Sequence, residues 1–118
     1  GAAPPASPRL VLNDDNSDFV YDDLGNALGG IRTPYVDAPS AVLRGEPNTG
    51  DGFCRLFGTT RLFTAEEMAS LYVDKAGFVE AVRVSTEEAV AAGFLLREDA
   101  DAVIAWAPSQ WDWQVPAP

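Results

Sequence analysis

The positions of proline and glycine limit the folds open to this chain more than any other feature. Nine prolines and ten glycines cluster outside the stretches that have helical periodicity. Proline fixes φ and lacks an N–H, so it is excluded from helix interiors and central strands. Residues 31–47 contain three prolines and cannot form one central strand. Residues 1–8, also rich in proline, are predicted to be an extended tether.

Short strands and loops are predicted for residues 9–63. Arg9–Leu12 is an apolar run that fits a buried strand. Residues 18–31 fit a hairpin, because Gly25 and Asn26 supply a turn between two short apolar stretches. Gly29 and Gly30 weaken its second arm, which predicts a bulge or a close backbone approach.

The chain continues with a short strand at Ala41–Arg44 and a flexible loop at residues 45–52. Three helices are predicted in the second half, at about 64–72, 75–92 and 98–107. Thr64 and Glu67 have the spacing of a capping box, and Asp74 can cap the second helix.

The predicted fold class is therefore α+β, with residues 9–107 as a single segment. Gly93 occupies the position of a left-handed cap after the second helix. Pro108 is expected to end the third helix, which leaves residues 108–118 as an irregular tail.

The absence of histidine excludes several kinds of catalytic site within these residues. Without histidine there is no Ser-His-Asp triad, no imidazole base and no histidine metal ligand. No serine lies in a G-x-S-x-G context, so a nucleophile elbow is also absent. Cys54 is the only cysteine and is interpreted as a small hydrophobic residue. We expect no cofactor and no metal.

The charge of the chain limits its partners. Eighteen acidic and eight basic residues give a formal net charge of −10. Binding to the phosphate backbone requires clustered lysine and arginine, so nucleic acid is not an expected partner. An anionic membrane surface is disfavoured for the same reason, and no apolar run has the ~20 residues of a transmembrane helix. The sequence therefore indicates an acidic, soluble segment.

Three further groups of residues could form sites, but each has a simpler interpretation. Asp14, Asn16 and Asp18 resemble the start of a calcium loop, but the required glycine is absent and a solvated turn is favoured. The acidic pairs Asp22/Asp23 and Glu66/Glu67 could serve acid–base chemistry, although neighbours in sequence usually point apart. An aromatic surface that binds sugars could be formed by Trp106, Trp111 and Trp113 with Asp112, although terminal aromatics more often pack against a neighbour.

The segment around Arg32 is the main candidate for a pocket or an interface. The glycines before Arg32 would allow another group to approach the backbone, and the guanidinium could clamp a carboxylate. The alternative is a structural turn in which Arg32 pairs with a local acid such as Asp37. The candidate residues are Gly29, Gly30, Arg32, Pro34, Tyr35 and Asp37.

The same segment carries a family resemblance. Gly25–Gly45, GNALGGIRTPYVDAPSAVLRG, resembles the C-terminal signature of the bacterial alpha/beta hydrolase domain-containing proteins. That signature reads G-N-x-x-G-G-I-R-x-P-x-V-x-x-P, followed by a short strand and a glycine. Other parts of the family are resembled by Ala3–Leu10, Cys54–Phe63 and Tyr72–Ala102. The resemblance covers residues 3–107.

The resemblance implies a relative of serine hydrolases with a parallel-sheet core, a nucleophilic serine and a catalytic histidine. Those elements belong to the part of the family that precedes this segment, so no catalytic role is transferred to any residue here. The implied function is a non-catalytic C-terminal portion of a split or processed enzyme that hydrolyses esters or amides. A partner chain carrying Ser and His would then have its core completed or its pocket shaped by this segment. The alternative is a non-enzymatic binding or scaffold domain derived from the family. The family tends towards exported proteins.

Overall fold

A computed structural model describes residues 3–118 of the chain. It confirms the α+β class, with four α-helices and one two-stranded antiparallel sheet in the described residues. The elements are α1 (Pro34–Asp37), β1 (Ala41–Arg44), a 3₁₀ helix (Gly52–Leu56), β2 (Thr59–Leu62), α2 (Ala65–Tyr72), α3 (Lys75–Ala91) and α4 (Arg97–Gln114).

Residues 9–30 form three extended segments joined by isolated antiparallel bridges. Their backbones close a ring of hydrogen bonds: Val11 donates to the Leu28 carbonyl (2.9 Å), Leu28 donates to Val20 (2.8 Å), and Val20 donates to Val11 (2.9 Å). The prediction of a buried strand at Arg9–Leu12 is wrong. Its three apolar side chains are between 42 % and 45 % exposed, because no layer of the described chain covers this ring.

The predicted hairpin at residues 18–31 is confirmed at its turn and its glycines. Tyr21 bridges to Ala27, and Gly25 in the intervening turn has φ +91°. Gly29 has φ +76°, and a Cβ atom there would collide with the Arg9 carbonyl oxygen. The predicted close backbone approach is therefore present at Gly29.

The sheet is a ribbon of β1 and β2, with Ala41 opposite Leu62 and Arg44 opposite Thr59. The strand at residues 41–44 is confirmed, whereas β2 was not predicted. The predicted loop at residues 45–52 lies between the strands, and Gly52 already begins the 3₁₀ helix.

The hydrophobic core lies where α3 and α4 pack together and α2 joins them. Phe78 and Val82 of α3 and Met68 of α2 are at most 1 % exposed. Trp111 of α4 packs on Phe78 with ring centroids 6.0 Å apart. Half of the ten buried hydrophobic residues are alanines, so the core is small in volume.

The predicted helix caps are present. The Thr64 hydroxyl accepts from the Glu67 amide (3.1 Å), and the Glu67 carboxylate accepts from the Thr64 amide (2.8 Å). The Asp74 carboxylate accepts from the Gly77 amide (2.8 Å) and begins α3. Gly93 has φ +83° after α3, as a left-handed cap requires.

The corner between α2 and α3 is tight. Val73, which is 81 % exposed, has φ +71° and ψ −57°, a conformation that β-branched residues rarely adopt. A Cβ atom on Gly77 would collide with the Tyr72 carbonyl oxygen. The glycine therefore allows the first turn of α3 to pack directly against the end of α2.

The prediction that Pro108 ends the third helix is wrong, and residues 108–114 do not form an irregular tail. The helix α4 continues through Pro108 to Gln114. Tertiary contacts hold its last turns. Trp111 is buried, and the side-chain Nε2 of Gln114 donates to the carbonyls of Ser40 (2.7 Å) and Phe63 (2.8 Å). These contacts outweigh the cost of a proline within the helix. No helix within residues 3–118 is long and apolar enough to cross a bilayer.

We expect Trp111→Ala to lower the free energy of unfolding by about 3 kcal/mol, because it removes a buried ring from the core. Trp113→Ala is the matched control on the same helix. Trp113 is 65 % exposed, so its loss should cost less than about 0.5 kcal/mol. Urea unfolding followed by circular dichroism measures both values. Equal costs for the two variants would contradict the placement of α4.

Candidate functional site

Arg32 lies at the centre of a polar network that joins the hairpin to α1. Its guanidinium pairs with Asp37 through Nε and with Asp22 through Nη2 at 3.0 Å. It also donates to the Ala27 carbonyl (2.7 Å) and the Val36 carbonyl (3.2 Å). The hydrogen bond that Arg32 donates to Asp37 raises the pKa of Arg32 above its usual value; burial opposes this rise, and the hydrogen bond to Asp22 adds to it.

Asp22 connects Arg32 to the turn of the hairpin. One carboxylate oxygen accepts from the amides of Leu24 (3.0 Å) and Asn26 (2.9 Å), and the other binds Arg32. Burial disfavours the charged form, but the hydrogen bonds from Asn26, Arg32 and Leu24 outweigh it and lower the pKa of Asp22. A lowered pKa keeps this carboxyl group ionised and unsuited to be a general acid near neutral pH.

Asn26 continues the network into the sheet. It is 1 % exposed. Its side-chain Nδ2 donates to the Ala41 carbonyl (3.1 Å), and its side-chain Oδ1 accepts from the backbone N–H of Leu43 (2.7 Å). The sequence suggested only a turn residue here, because nothing local shows that the side chain reaches a strand fifteen residues away.

The candidate residues around Arg32 divide into two groups. Gly29 and Gly30, both with positive φ, shape the backbone before Arg32, and Asp37 pairs with the guanidinium. Four donated hydrogen bonds engage the Arg32 guanidinium inside the fold, out of the five that its N–H groups can make. The structure therefore contains the pair that the alternative interpretation of this segment predicted, a turn in which Arg32 binds Asp37.

Pro34 and Tyr35 lie on the other side of α1, next to α4. Pro34 is buried, and Tyr35 is 50 % exposed with its ring 5.7 Å from that of Trp106. A cavity of about 130 Å³ opens between α1, β1 and α4. It has room for one apolar side chain or a group of similar size, and its wall is lined by Pro34, Tyr35, Ala38, Ser40, Ala41, Leu43 and Trp106.

A larger groove brings together acidic residues that are far apart in the sequence. It has a volume of about 450 Å³, and its lining residues are Asp23, Leu24, Arg61, Phe63, Glu66, Glu67, Ser70 and Leu71. Arg61 pairs with Glu67 at 3.1 Å, and this hydrogen bond is the main cause that lowers the pKa of Glu67. Sequence reasoning missed the groove because it depends on β2, whose β-branched Thr59 and Thr60 after Gly58 were the available signal.

The other sites considered from sequence are not assembled. Trp111 is buried in the core, Trp106 packs on Tyr35, and Asp112 pairs with Lys75, so the tryptophans do not share one aromatic surface. Residues 13–18 form an exposed turn closed by hydrogen bonds from Ser17 to Asn13 and Asp15. Cys54 is exposed in the 3₁₀ helix, which differs from the buried position expected of a small hydrophobic residue. Residues 3–118 contain no group of three or more His, Cys, Asp or Glu side chains arranged for a metal ion.

Comparison with known families decides the affiliation of this chain. Residues 1–105 match the family model described as Alpha/beta hydrolase domain. The chain belongs to this alpha/beta hydrolase family. No curated protein matches it, and no solved structure matches it.

The alpha/beta hydrolase match spans the Arg32 network, the ribbon and the helices as far as the first half of α4. These residues contain no histidine and no G-x-S-x-G serine. The pKa values of Asp22 and Glu67 are both lowered, so these two carboxyl groups stay ionised near neutral pH. The described residues thus hold a polar network around Arg32, an apolar cavity beside Trp106 and a groove beside Arg61.

We expect Arg32→Ala to lower the free energy of unfolding by about 2 kcal/mol, because two carboxylates lose a charged donor. Arg32→Lys should recover less than half of this loss, since lysine lacks the planar array of donors. Arg83→Ala is the control: Arg83 pairs with Glu80 on an exposed helix face, and its loss should leave the free energy of unfolding almost unchanged. Urea unfolding of the three variants tests the assignment, which fails if Arg32→Ala is as mild as Arg83→Ala.

Asp22 should make stability depend on pH in a defined direction. Its pKa is lowered in the folded chain, so its contribution is complete above the unfolded value of about 3.9 and is lost as the pH falls through the folded value. Asp22→Asn should therefore cost about 1.5 kcal/mol at pH 7 and progressively less below about pH 4. Urea unfolding of both proteins between pH 3 and pH 7 measures the difference. A gap that stays constant down to pH 3 would contradict this role.

Proposed function

We propose that this chain is the non-catalytic C-terminal portion of an α/β-hydrolase-like enzyme that cleaves esters or amides. The nucleophilic serine and the histidine are supplied by a hydrolase core outside these residues, on a partner chain. Membership of the alpha/beta hydrolase family supports the reaction class. The absence of histidine supports the division of labour, because a serine needs a base to become nucleophilic.

The observation that carries the proposal is that the chain does not close around its own apolar residues. Its radius of gyration is 16.0 Å. A compact domain of this length has a radius of gyration of about 13.5 Å. Among residues 3–118, sixteen large hydrophobic residues are exposed, whereas ten hydrophobic residues are buried. An incomplete globule of this kind is stabilised by a further protein surface.

The exposed apolar residues concentrate in two regions that the core would cover. The ring of extended segments exposes Leu10, Val11, Leu12 and Phe19, each between 40 % and 45 %. The 3₁₀ helix and the residue after it expose Phe53 (75 %), Leu56 (72 %) and Phe57 (58 %). Burial of apolar area contributes about 25 cal/mol per Å², so covering these regions would favour assembly.

The function of this segment in the assembled enzyme would be to complete the core or to shape the substrate pocket. The Arg32 network would keep α1 fixed against the hairpin, and the aromatic cavity beside Tyr35 and Trp106 would present an apolar wall. Neither surface needs to change charge during hydrolysis. Catalysis by Ser and His would then take place on the core. The serine would attack the carbonyl and the histidine would pass its proton to the departing alcohol or amine; water would then hydrolyse the acyl-enzyme to the acid and free serine.

A non-enzymatic binding domain is the second candidate, favoured by the internal satisfaction of the polar groups. In residues 3–118 the only buried side-chain polar atom without a hydrogen bond is Ser85 Oγ. A segment separated from a larger core usually leaves more of its buried polar atoms without a hydrogen bond. The two candidates differ in one observable property. Only the first predicts that the folded chain is bound to a partner with hydrolase activity.

Material isolated from the natural source without denaturation should contain the 12.6 kDa chain bound to a larger chain in fixed ratio by native mass spectrometry. A fluorophosphonate probe should label only the larger chain, and p-nitrophenyl ester hydrolysis should be lost on separation and regained on mixing. Cys54→Ser should leave turnover within about twofold, because this thiol is not the nucleophile. A folded 12.6 kDa monomer with no hydrolase bound would favour the binding domain. Labelling of this chain itself would contradict both candidates.

A further inference from the structure

The two strands of the ribbon differ in what lies at their outer edges. Phe63 donates to the Ser40 carbonyl (2.9 Å), which marks these opposite residues as a hydrogen-bonded pair. Such pairs alternate along an antiparallel ladder, so Val42 and Arg61 form the next one. The N–H and C=O groups of Ala41 and Leu43 on β1, and of Thr60 and Leu62 on β2, therefore point away from the ribbon.

The outer edge of β1 is already closed. The Asn26 side chain donates to the Ala41 carbonyl and accepts from the Leu43 amide, as the backbone of a neighbouring strand would do. Asn26 is buried, so this position is occupied and shielded from another strand. The ribbon can be extended only at β2.

The outer edge of β2 is open. All four of its residues are exposed, and within residues 3–118 the Thr60 N–H and C=O and the Leu62 N–H have no hydrogen-bond partner. Natural edge strands are usually protected by being very short, by proline, by a bulge or by charged side chains. β2 is short, but it has no proline and no bulge, and its one charged residue, Arg61, is paired with Glu67 and not left to repel an incoming strand.

We propose that the β2 edge binds an extended segment of the hydrolase core by backbone pairing with Thr60 and Leu62. This inference rests on the proposed function. A row of alternating N–H and C=O groups at strand spacing is complementary to another extended backbone. A two-stranded ribbon is only marginally stable by itself, so a third strand would also stabilise β1.

The charges favour the core over a second copy of this chain as the occupant. Each copy carries a net charge of −10, so pairing two copies brings twenty excess negative charges together. Six of the eight basic residues are already engaged in ion pairs within the chain, which leaves few cations to offset that repulsion. A neutral or basic strand of the core meets no such barrier.

The test compares Thr60→Pro with Thr60→Val in the assembled enzyme. Proline removes the outward N–H but no hydrogen bond of the ribbon, and it is tolerated where an edge N–H faces solvent. Valine keeps the N–H and the β-branched shape. We expect Thr60→Pro to weaken binding of the core about 10-fold in Kd, and Thr60→Val to leave it within about twofold. Circular dichroism of each free variant shows whether it folds.

Hydrogen exchange provides a readout that does not depend on either variant. In the unmodified protein, the Thr60 and Leu62 amides should exchange at least about 100-fold more slowly in the assembled enzyme than in the free chain. An active assembly in which these amides stay unprotected, and in which both variants bind alike, would overturn this inference while leaving the proposed function intact. If no assembly forms, the proposed function fails and this inference fails with it. Protection of the two amides that rises with the concentration of the free chain would identify a second copy as the occupant and would also overturn it.

Discussion

A continuous polar network holds the first half of this chain in place. It runs from α1 through the Arg32 guanidinium to Asp22, then through the backbone of the turn to Asn26, and ends on β1. The extended segments of residues 9–30 share few ladder hydrogen bonds, and their apolar side chains are exposed. Apolar burial therefore does little to fix their relative positions. Charge-assisted hydrogen bonds fix them instead, because they are directional and each is stronger than a bond between neutral groups. The helical half follows the opposite strategy and depends on the packing of Phe78, Val82 and Trp111.

The features that were predictable from sequence depend on residues close together in the chain. The capping box at Thr64, the cap at Asp74 and the pairing of Arg32 with Asp37 involve partners within five positions, so the pattern alone determines them. The features that were missed depend on distant partners. The strand β2 becomes regular because β1 lies beside it, α4 continues past Pro108 because Gln114 reaches Ser40 and Phe63, and Asn26 is placed by a strand that forms later in the chain. Local propensity cannot predict these elements, since tertiary contacts override it.

Family membership changes how the surface of this chain is interpreted. For an isolated domain, the exposed residues of the ring and of the 3₁₀ helix would be a risk of aggregation. Under the proposed function, the same residues are the surface that the hydrolase core would cover. The acidic groove beside Arg61 and the aromatic cavity beside Trp106 would then lie at the boundary with that core. The chemistry of the family and the architecture of this segment are compatible because the serine and its base need not come from the residues that shape the pocket.

The Val73 corner has a consequence for how this chain could move. A valine at φ +71°, with Gly77 packed against the Tyr72 carbonyl, is held between a capped helix start and a closed helix end. Such a corner is rigid and does not act as a hinge. A change in the angle between α2 and α3 would break the hydrogen bond from Gly77 to Asp74 without reaching another favourable arrangement. The angle between α2 and α3 is thus set before any encounter. Adjustment to a neighbouring body falls to the connection between β1 and β2, where residues 51–58 are all exposed and have few buried contacts to lose. The chain combines a rigid helical frame with one adaptable arm.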